Sequence, residues 1–475
     1  MNVIRSLSHL NALKHVGKIK SSVWKRSFFA KISTESKATQ RALILCPTAF
    51  DESTFSVLNE LPQDFKEKYS LNFARWNSSQ AIDLNQYTEQ CIEIVNKHDI
   101  DLVVSGADVG SVVHAALADT FPHIRGPSIE SAFLTVHKYY GAQLYEPDVQ
   151  SAKSMILELD ADLETLVDKA NDFLQRVGGI CCIKPVIGES SLGVQKVMGL
   201  EELRKNLVNL RNHTEYQFIS EDFAKKWIDV KVYPYSLSRC ALLEEYIEPK
   251  AITTANVCVQ KGKIKHLGIH DWLFDEYAPR EGARTFLGGF APSSVTQAEE
   301  QTVTQLADSI LAKLIQKGFN DQFLNIEFFA LPTGGYKFLE VNGRLDLGMA
   351  VLCRQLYNDG DFIQGLLKLG SGENIASPTP NGLHGMWGFV DTFASGKAED
   401  ILNFNEMESI PDITALYSPG DHIQATSDMY GTNLATTYII GHTREEIIKK
   451  HYDICRRVLK KPEYSPWGLS QTTHQ

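Results

Sequence analysis

The sequence lacks long apolar runs, a surplus of positive charge and regularly spaced cysteines. No apolar run approaches the roughly 20 residues that a bilayer-spanning helix needs, so no membrane partner is expected. The net charge of -11 disfavours a nucleic-acid partner, because phosphate backbones bind basic surfaces. The eight cysteines include no CxxC pair, which argues against the common zinc motifs and disulfide scaffolds and favours a reducing compartment.

Two common nucleotide-binding motifs are also missing. The chain contains neither GxxxxGK(S/T) nor GxGxxG, so a P-loop NTPase or a Rossmann dehydrogenase has no anchor in it. The composition that remains is that of an ordinary globular protein, with 43% hydrophobic and 22% charged residues. A length of 475 residues exceeds what one hydrophobic core supports and predicts about three domains.

The first 40 residues differ in composition from the rest of the chain. Seven basic residues precede the first acidic residue, Glu35, and serines and apolar residues lie among them. This composition is typical of a mitochondrial transit peptide, and residues 26–30 resemble a processing site. A basic N-terminal arm on a cytoplasmic protein has the same composition, so both interpretations stay open.

From residue 41 onward, short apolar strands alternate with amphipathic helices. Residues 42–46 and 101–105 have the pattern of buried strands, and apolar residues between 84 and 95 recur at helical spacing. A helix that leads into a buried strand predicts a parallel sheet. Further along, an apolar stripe predicts a helix that Gly318 ends, and Thr443 is a candidate N-cap for a C-terminal helix.

Residues 184–194 combine a lysine at the end of a strand with a loop rich in glycine and serine. Lys184 supplies a positive charge, and this loop supplies hydroxyl groups and backbone N–H groups to polyphosphate oxygens. A surface turn that begins with a solvated lysine explains the same residues. The loop is therefore a candidate phosphate site whose meaning depends on its surroundings.

Residues 323–344 predict a hairpin with a polar face, because two apolar runs flank a stretch with the residues of a tight turn. Folding the segment about this turn sets Glu327 opposite Glu340 and Asn325 opposite Asn342, with all four side chains on one face. Two facing carboxylates that are partly desolvated repel each other. A cation between them is therefore expected.

The ligands in this hairpin select a hard cation. Oxygen atoms from Glu327, Glu340 and Asn342, without cysteine or histidine, favour Mg2+, which shares its coordination sphere with substrate phosphates, and Mn2+ is the alternative. Arg344 follows two residues after Asn342, within reach of the same phosphates. The competing interpretation is an exposed polar hairpin face that binds nothing.

Residues 242–249 form an apolar strand that ends in acidic residues and a proline. Such a strand end can line an adenine slot, where a carboxylate or backbone carbonyl accepts from the purine amine and a backbone N–H donates back. Charged residues that close a strand are also common at a solvated sheet edge. The segment gains weight only from its place among the other features.

The order of these features resembles the ATP-grasp superfamily over about residues 41–372. The resemblance implies α/β and α+β structure: an open parallel-sheet (pre-ATP-grasp) domain at 41–137, an ATP-grasp domain at 138–372 and a C-terminal extension at 373–475. This extension, in which residues 438–442 precede a helix, is similar to the biotin-carboxylase-like tail of the carnosine synthase and bacterial L-amino acid ligase group.

The resemblance also implies roles for individual residues. Catalysis is implied for Lys184 and Arg344, and metal binding for Glu327, Glu340 and Asn342. The implied ATP-binding residues are Lys138, Lys184, Ser190, Ser191, Gly193, Glu244, Glu245 and Ile247.

Two departures from the family pattern accompany these roles. Residues 250–252 do not supply the acidic side chain that often holds the ribose, which leaves Glu248 or no residue for that role. Asn342 is followed by Gly343, where proline is more usual.

The activity implied is that of a ligase which uses ATP and Mg2+ to convert a carboxylate into an acyl phosphate and joins it to an amine, with release of ADP and phosphate. A small carboxylate and a small amine would be the substrates, and a homodimer is left open. Two alternatives remain. One is a carboxylase-type ATP-grasp enzyme that activates bicarbonate, and the other is a catalytically silent ATP-binding protein.

Two further pairs of residues are weaker candidates. His266 and His270 stand four apart, but their segment has the pattern of a strand followed by a turn, without a further nitrogen or sulfur ligand, so a structural role is favoured over zinc binding. Arg280 and Arg284 either bind the carboxylate of a second substrate or are ordinary surface charges.

Overall fold

The structure is a computed structural model, and it describes residues 40–46, 55, 63–76, 83–146, 148–188, 193–212, 219–237, 239–274, 286–411, 413–424 and 431–461. Within these residues, three sheets and their helices position the site. No helix in these ranges combines the length and the apolar character that crossing a membrane requires.

The first sheet is small and parallel. Its elements and the helices that follow them are β1 (Gln40–Cys46), α1 (Gln63–Lys68), β2 (Tyr69–Arg75), α2 (Leu84–His98), β3 (Leu102–Ser105), α3 (Asp108–Thr120), α4 (Ile129–Val136) and α5 (Lys138–Tyr145). The strand order is β2-β1-β3, with both pairs parallel, which confirms the parallel sheet predicted from the sequence. The sequence pattern does not indicate β2, because only Tyr69 and Ala74 of this edge strand are buried.

The second sheet is antiparallel and has four strands. Its elements are β4 (Ser154–Glu158), α6 (Leu163–Arg176), β5 (Cys181–Pro185), β6 (Gln195–Val197), α7 (Leu200–Asn212), α8 (Glu221–Trp227) and β7 (Cys240–Glu245), with a 3-10 turn at Pro234–Ser236. The strand order is β4-β7-β5-β6. Helices α6 and α7 cover it through buried side chains such as Phe173 and Leu207. Because β5 and β7 are antiparallel, Lys184 near the end of β5 pairs with Leu242, two residues before Glu244.

The third sheet has eight strands. The remaining elements are β8 (Ala251–Gln260), β9 (Lys263–Phe274), β10 (Phe286–Ala291), α9 (Gln297–Gln316), β11 (Gln322–Ala330), β12 (Tyr336–Asn342), α10 (Leu347–Leu356), β13 (Tyr357–Asn358), α11 (Phe362–Gly370), β14 (Thr379–Pro380), β15 (His384–Thr392), β16 (Gly396–Lys397), α12 (Ala398–Ile401), α13 (Phe404–Glu408), β17 (Ile413–Ala415), β18 (His422–Ile423), β19 (Thr432–Gly441) and α14 (Arg444–Val458). The order in this sheet is β12-β11-β8-β9-β10-β15-β19-β17.

This large sheet joins the middle of the chain to its C-terminal part. Strands β15, β17 and β19 pair antiparallel beside β10, so residues on both sides of the predicted boundary at 373 contribute to one sheet. Helix α9 packs on one side of it, where Ile310 and Leu314 are fully buried with Ile326. Burying such a side chain contributes roughly 1.5–3 kcal/mol. The other side carries the candidate site.

Predicted helix ends are confirmed, but one predicted turn is wrong. Helix α9 stops before Gly318, which has φ 90°, as predicted. Its start is not predicted, and it follows Thr296, which forms a capping box with Glu299. Thr443 caps α14 as expected. Strand β9, however, continues unbroken to Phe274 where the sequence pattern indicates a turn, because it is paired on both sides by β8 and β10.

Candidate active site

The hairpin formed by β11 and β12 brings four polar side chains together on one face. Glu327 pairs with Glu340 and Asn325 with Asn342, which confirms the predicted register. Asn342 Nδ2 donates to Asn325 Oδ1 at 2.8 Å and to Glu327 Oε1 at 3.2 Å. A β-bulge next to Glu327 shifts the register by one residue between the polar pairs and the turn. The polar pairs therefore have the predicted register, whereas the pairs nearer the turn do not.

The two glutamates have different electrostatic surroundings. Burial and the nearby charge of Glu340 raise the pKa of Glu327 to about 8. Burial also acts to raise the pKa of Glu340, but the positive charges of Lys138 and Lys184 outweigh it and lower that pKa. The metal-free site therefore holds one carboxylate whose charge the lysines stabilise and one carboxyl group whose charged form is disfavoured, although Arg344 acts against this.

Lys138 ties the hairpin to the glycine-rich loop. It is the first residue of α5, and its Nζ lies 3.2 Å from Glu340 Oε2 and donates to the backbone oxygen of Gly188 at 2.6 Å. Its backbone N–H donates to the oxygen of Val186 at 2.9 Å. One lysine thus contacts both the carboxylate pair and the start of the predicted phosphate loop.

Lys184 lies at the end of β5 and is almost fully buried. Its Nζ is 2.5 Å from Glu244 Oε2, at the end of the neighbouring strand β7. Burial acts to lower the pKa of Lys184, but Glu244 outweighs it and raises the pKa, so the lysine stays charged. In this conformation the lysine and Glu244 neutralise each other.

Arg344 follows the hairpin and forms an ion pair with Asp108 in helix α3, which packs on the parallel sheet. Its Nε lies 3.3 Å from Asp108 Oδ1, at the start of α3. Burial raises the pKa of Asp108, although Arg344 and Lys138 act against this rise. A small cavity beside these groups is lined by Asp108, Lys138, Gly188 and Asn342. This cavity lies where the hairpin, α3 and α5 meet.

The other predicted nucleotide-binding residues lie around this centre or outside the described residues. Glu245 Oε2 is 3.4 Å from Lys337 Nζ, so this carboxylate faces the hairpin strand β12 rather than Lys184. Ile247 is half-buried just after β7, and Gly193 has φ 74°. Ser190 and Ser191, like Arg280 and Arg284, lie outside the described residues.

The polar face of the hairpin continues across the sheet. Glu327 pairs with Thr254, and Thr254 pairs with His270, so the three side chains lie in one row. Among the described residues, Thr254 Oγ1, His270 Nε2 and Asn325 Nδ2 are buried atoms without a hydrogen-bond partner. Buried polar atoms are normally paired. Their concentration on this face indicates a place where ligand or water atoms complete the hydrogen bonding.

The residues present fit Mg2+ better than a metal that needs many protein ligands. Nowhere in the described residues do three or more His, Cys, Asp or Glu side chains form a metal-binding group. Two carboxylates and one amide are enough for Mg2+, which keeps waters and phosphate oxygens as its other ligands. Asn342 now points Nδ2 at Glu327, so binding a cation through Oδ1 requires its amide to turn over.

Steric crowding explains why position 343 is a glycine. A Cβ at this position would lie 2.3 Å from Oγ1 of Thr135 in α4. Any larger residue, proline included, would push the hairpin away from α4. The departure from the family pattern thus keeps the hairpin close to its neighbour.

Sequence reasoning does not find Asp108, Thr254 or the position of His270. A signal for Asp108 exists, because it follows β3 at the carboxyl end of a parallel sheet, where ligands of such sheets commonly bind. His266 lies elsewhere, 2.9 Å from Asp308, while His270 contacts Asn256 at 2.8 Å. The two histidines therefore have separate partners.

Comparisons with known proteins identify the fold. No family model matches the chain, and no curated protein matches its sequence. Among solved structures, the L-amino acid ligase from Bacillus licheniformis has a TM-score of 0.66 at 12% identity, covering 89% of this chain and 98% of that one.

Two further solved structures were determined with nucleotide. The biotin carboxylase domain of Hydrogenobacter thermophilus 2-oxoglutarate carboxylase, with MgADP and bicarbonate, has a TM-score of 0.58 at 17% identity over 89% of this chain and 91% of that one. N5-carboxyaminoimidazole synthase from Aspergillus clavatus, with ADP and 5-aminoimidazole ribonucleotide, has a TM-score of 0.59 at 12% identity over 88% of this chain and all 100% of that one. From its parallel first sheet to its large antiparallel sheet, the chain has the ATP-grasp fold.

Proposed function

We propose that this protein is an ATP- and Mg2+-dependent carboxylate-amine ligase that forms an amide bond through an acyl phosphate and releases ADP and phosphate. The observation that carries the proposal is the pairing of Glu327 with Glu340 on one face of the hairpin, with Lys138 and Arg344 beside them. Two facing carboxylates need a cation, and the lysines around them suit a polyphosphate.

Each charged residue has a task in this reaction. Lys138 and Lys184 would hold nucleotide phosphates, and Arg344 would steady the transferring phosphoryl group while the substrate carboxylate attacks it. Glu327, Glu340 and Asn342 would hold Mg2+, which supplies charge neutralisation for the phosphates. These groups act by electrostatic stabilisation and positioning and need no covalent bond to the protein.

Two residues outside the predicted set support this arrangement. Asp108 holds Arg344 by an ion pair and so fixes the direction of its guanidinium group. Glu244 holds Lys184 in the absence of nucleotide. Nucleotide binding then requires Lys184 to share its charge between Glu244 and phosphate oxygens.

The test is a screen of amino acid pairs for phosphate release in the presence of MgATP, with mass detection of the products. We expect release that requires both a carboxylate and an amine, together with a product whose mass equals the two substrates less one water. Glu340→Gln serves as the inactive control. The absence of amine-dependent phosphate release with every mixture contradicts the ligase proposal, and the absence of any phosphate release leaves the silent ATP-binding protein.

A carboxylase-type reaction is the second candidate, favoured by the structural likeness to a biotin carboxylase domain. In that case bicarbonate alone stimulates ADP release, which the ligase proposal forbids. The same assay with bicarbonate in place of the amino acids separates the two. The ADP complexes of related folds support ATP and Mg2+ here, whereas Mn2+ has no such support.

The proposal also includes the remaining expectations from the sequence. The domain boundaries at residues 137 and 372, a mitochondrial destination directed by the first 40 residues, and a homodimer all stay predictions. A fusion of residues 1–40 to a fluorescent protein tests the destination directly. Retention of the fusion in the cytoplasm would favour the basic-arm interpretation.

A further inference from the structure

The polar face of the eight-stranded sheet continues into a patch of aromatic side chains. Residues that pair directly across a sheet share a face, and the residue two positions along a strand lies on that face too. His270, in the row of Glu327, therefore shares its face with Trp272, and the two rings meet edge to face at 5.4 Å. The paired residues Gly289 and Trp387 extend this second row.

The aromatic patch has six members: Trp272, Phe274, Phe286, Trp387, Phe389 and Tyr438. They form a continuous set, with ring centroids 5.9 Å apart for Trp272 and Trp387 and 4.9 Å apart for Trp387 and Phe389. Phe274 stacks on Phe286 at 4.6 Å. All six side chains are half-buried, so each keeps some surface exposed.

Helix α10 covers part of this face, since a Cβ on Gly289 would lie 2.5 Å from Sδ of Met349 in that helix. A Cβ on Gly385 would lie 2.7 Å from Leu352, and a Cβ on Gly348 would lie 2.3 Å from Cζ3 of Trp387. Gly385 and Trp387 are two residues apart in β15, about 7 Å, and their contacts Leu352 and Gly348 are four residues apart in the helix, about 6 Å. Because these lengths match, the helix runs along β15 toward Trp387. It ends there, because Asp346 is its N-cap. Phe389, the next aromatic residue along the strand, lies beyond the first turn of the helix.

The segment that precedes α10 carries the reactive end of the site. Arg344 and Asp346 stand just before the helix, so the patch begins where the charged groups end. Partly exposed aromatic side chains clustered in this way often mark a binding surface. Trp387 and Tyr438 also pack against the core that includes Met349, whereas Trp272 and Phe389 lie farther along the patch. Within the described residues, Nε1 of Trp387 is also buried without a hydrogen-bond partner. The patch therefore offers both stacking surface and an unused donor.

We propose that the aromatic patch binds the side chain of one of the two ligase substrates, and that this substrate is an amino acid with an aromatic side chain. The assignment rests on the proposed function for its reacting groups. Two strand spacings, about 10 Å, separate the strand of Glu327 from the strand of Trp272. A substrate whose carboxylate or amine lies beside Arg344 extends its side chain over Trp272.

An aromatic side chain suits this surface better than an aliphatic one. Neighbouring rings in the patch are both stacked and edge to face, as between Trp272 and Phe389 and between Trp387 and Phe389. Aromatic pairs in these arrangements contribute attraction beyond the area they bury. Phenylalanine, tyrosine and tryptophan are therefore the expected class, ahead of leucine and far ahead of alanine.

The kinetic test compares amino acids in the MgATP-dependent phosphate release assay. We expect kcat/KM for L-phenylalanine to exceed that for L-alanine at least 10-fold. Phe389→Ala should lower the value for L-phenylalanine at least 10-fold and leave the KM for ATP unchanged. Phe404→Ala is the matched control, because Phe404 is also half-buried but packs with the core behind the sheet, and it should change the value less than twofold. Equal rates for L-phenylalanine and L-alanine overturn the proposal.

A binding test keeps the proposal separate from the ligase activity. N-acetyl-L-phenylalanine, which keeps only the acid, and L-phenylalaninamide, which keeps only the amine, are titrated by calorimetry with and without Mg2+ and a non-hydrolysable ATP analogue. We expect one of them to bind at least 10-fold more tightly than its alanine counterpart and to lose this preference in Phe389→Ala.

The binding result also shows which substrate carries the ring. Tighter binding of the acid probe assigns the ring to the activated carboxylate, and tighter binding of the amide probe assigns it to the attacking amine. Ring-dependent binding without any turnover refutes the ligase but keeps the patch. Binding of neither probe above its alanine counterpart overturns the patch, whatever the ligase assay shows.

Discussion

Two lysine-carboxylate pairs in the site differ in how completely they are neutralised. Lys184 and Glu244, between β5 and β7 of the four-stranded sheet, are 2.5 Å apart and form a closed pair. Lys138 and Glu340, at the hairpin, are 3.2 Å apart and share their surroundings with a second carboxylate, Glu327. The first pair is balanced, whereas the second lies beside a carboxyl whose pKa is raised to about 8 by burial and by the charge of Glu340.

This difference explains what each pair is suited to do. The balanced pair of Lys184 and Glu244 is stable without a ligand, and it must loosen when a phosphate arrives. The unbalanced group around Glu327 is strained without a ligand, and a divalent cation relieves it. The proposed function therefore predicts that the two halves of the site respond to ATP and Mg2+ in opposite ways, and this contrast can be tested.

The largest expected effect is on turnover. Glu340→Gln removes a proposed metal ligand and Lys184→Ala removes a proposed phosphate contact, and each should lower ligase turnover by about 10^3-fold or more. Phosphate release with MgATP and the amino acid pair found in the screen measures this. Circular dichroism should show that both variants stay folded, and wild-type rates in either one would contradict the site assignment.

Without metal, substitutions in the two groups should change the free energy of unfolding in opposite directions. Glu244→Gln leaves Lys184 as a buried charge without its partner and should lower the free energy of unfolding by about 3 kcal/mol. Glu327→Gln removes repulsion from Glu340 and should raise it by about 1 kcal/mol. Chemical denaturation in EDTA measures both, and a loss of stability in Glu327→Gln would show that the hairpin is not strained.

Mg2+ should sharpen the same comparison. With a non-hydrolysable ATP analogue, Mg2+ at 100 times its dissociation constant should stabilise the wild-type protein by about 2.7 kcal/mol. The gain in stability should be much smaller in Glu327→Gln. In the wild-type protein, EDTA should remove the metal and bring the stability back to its metal-free value. Thermal unfolding with and without Mg2+ measures it, and equal gains in wild type and variant would place the metal elsewhere.

The smallest expected effect is the pH dependence of the unfolding free energy that comes from His114. Burial lowers the pKa of His114 to about 4, although its contact with the backbone oxygen of Arg125 acts against this. The folded chain thus keeps this histidine neutral while the unfolded chain binds a proton below pH 6.5, so stability falls as pH falls from 6.5 toward 4. Between pH 7 and pH 6 this amounts to on the order of 0.5 kcal/mol.

The matched variant for the pH effect is His114→Asn. It should remove this part of the pH dependence of the unfolding free energy, measured by urea denaturation at pH 7 and pH 6. An unchanged dependence in the variant would assign the pH effect to other groups.

The hairpin could be predicted because its signals are local. A strand alternates with a period of two, so the position of the turn sets which residues face each other. The pairing of Glu327 with Glu340 follows from this, and the bulge beside Glu327 shifts the rest of the hairpin without disturbing it. The predicted cap at Thr443 acts within one turn of helix and is equally readable.

The partners of the charged residues could not be predicted, because they come from distant parts of the chain. Lys138 meets Glu340 across about two hundred residues of sequence, and Arg344 meets Asp108 across a similar span. The aromatic patch draws its rings from β9, β10, β15 and β19, which become neighbours only in the sheet order. The sequence alone determined which chemistry is present, since residue types and local periodicity suffice for that. Tertiary structure alone decided which lysine neutralises which carboxylate and what surrounds them, because charge balance and burial are properties of the assembled sheets.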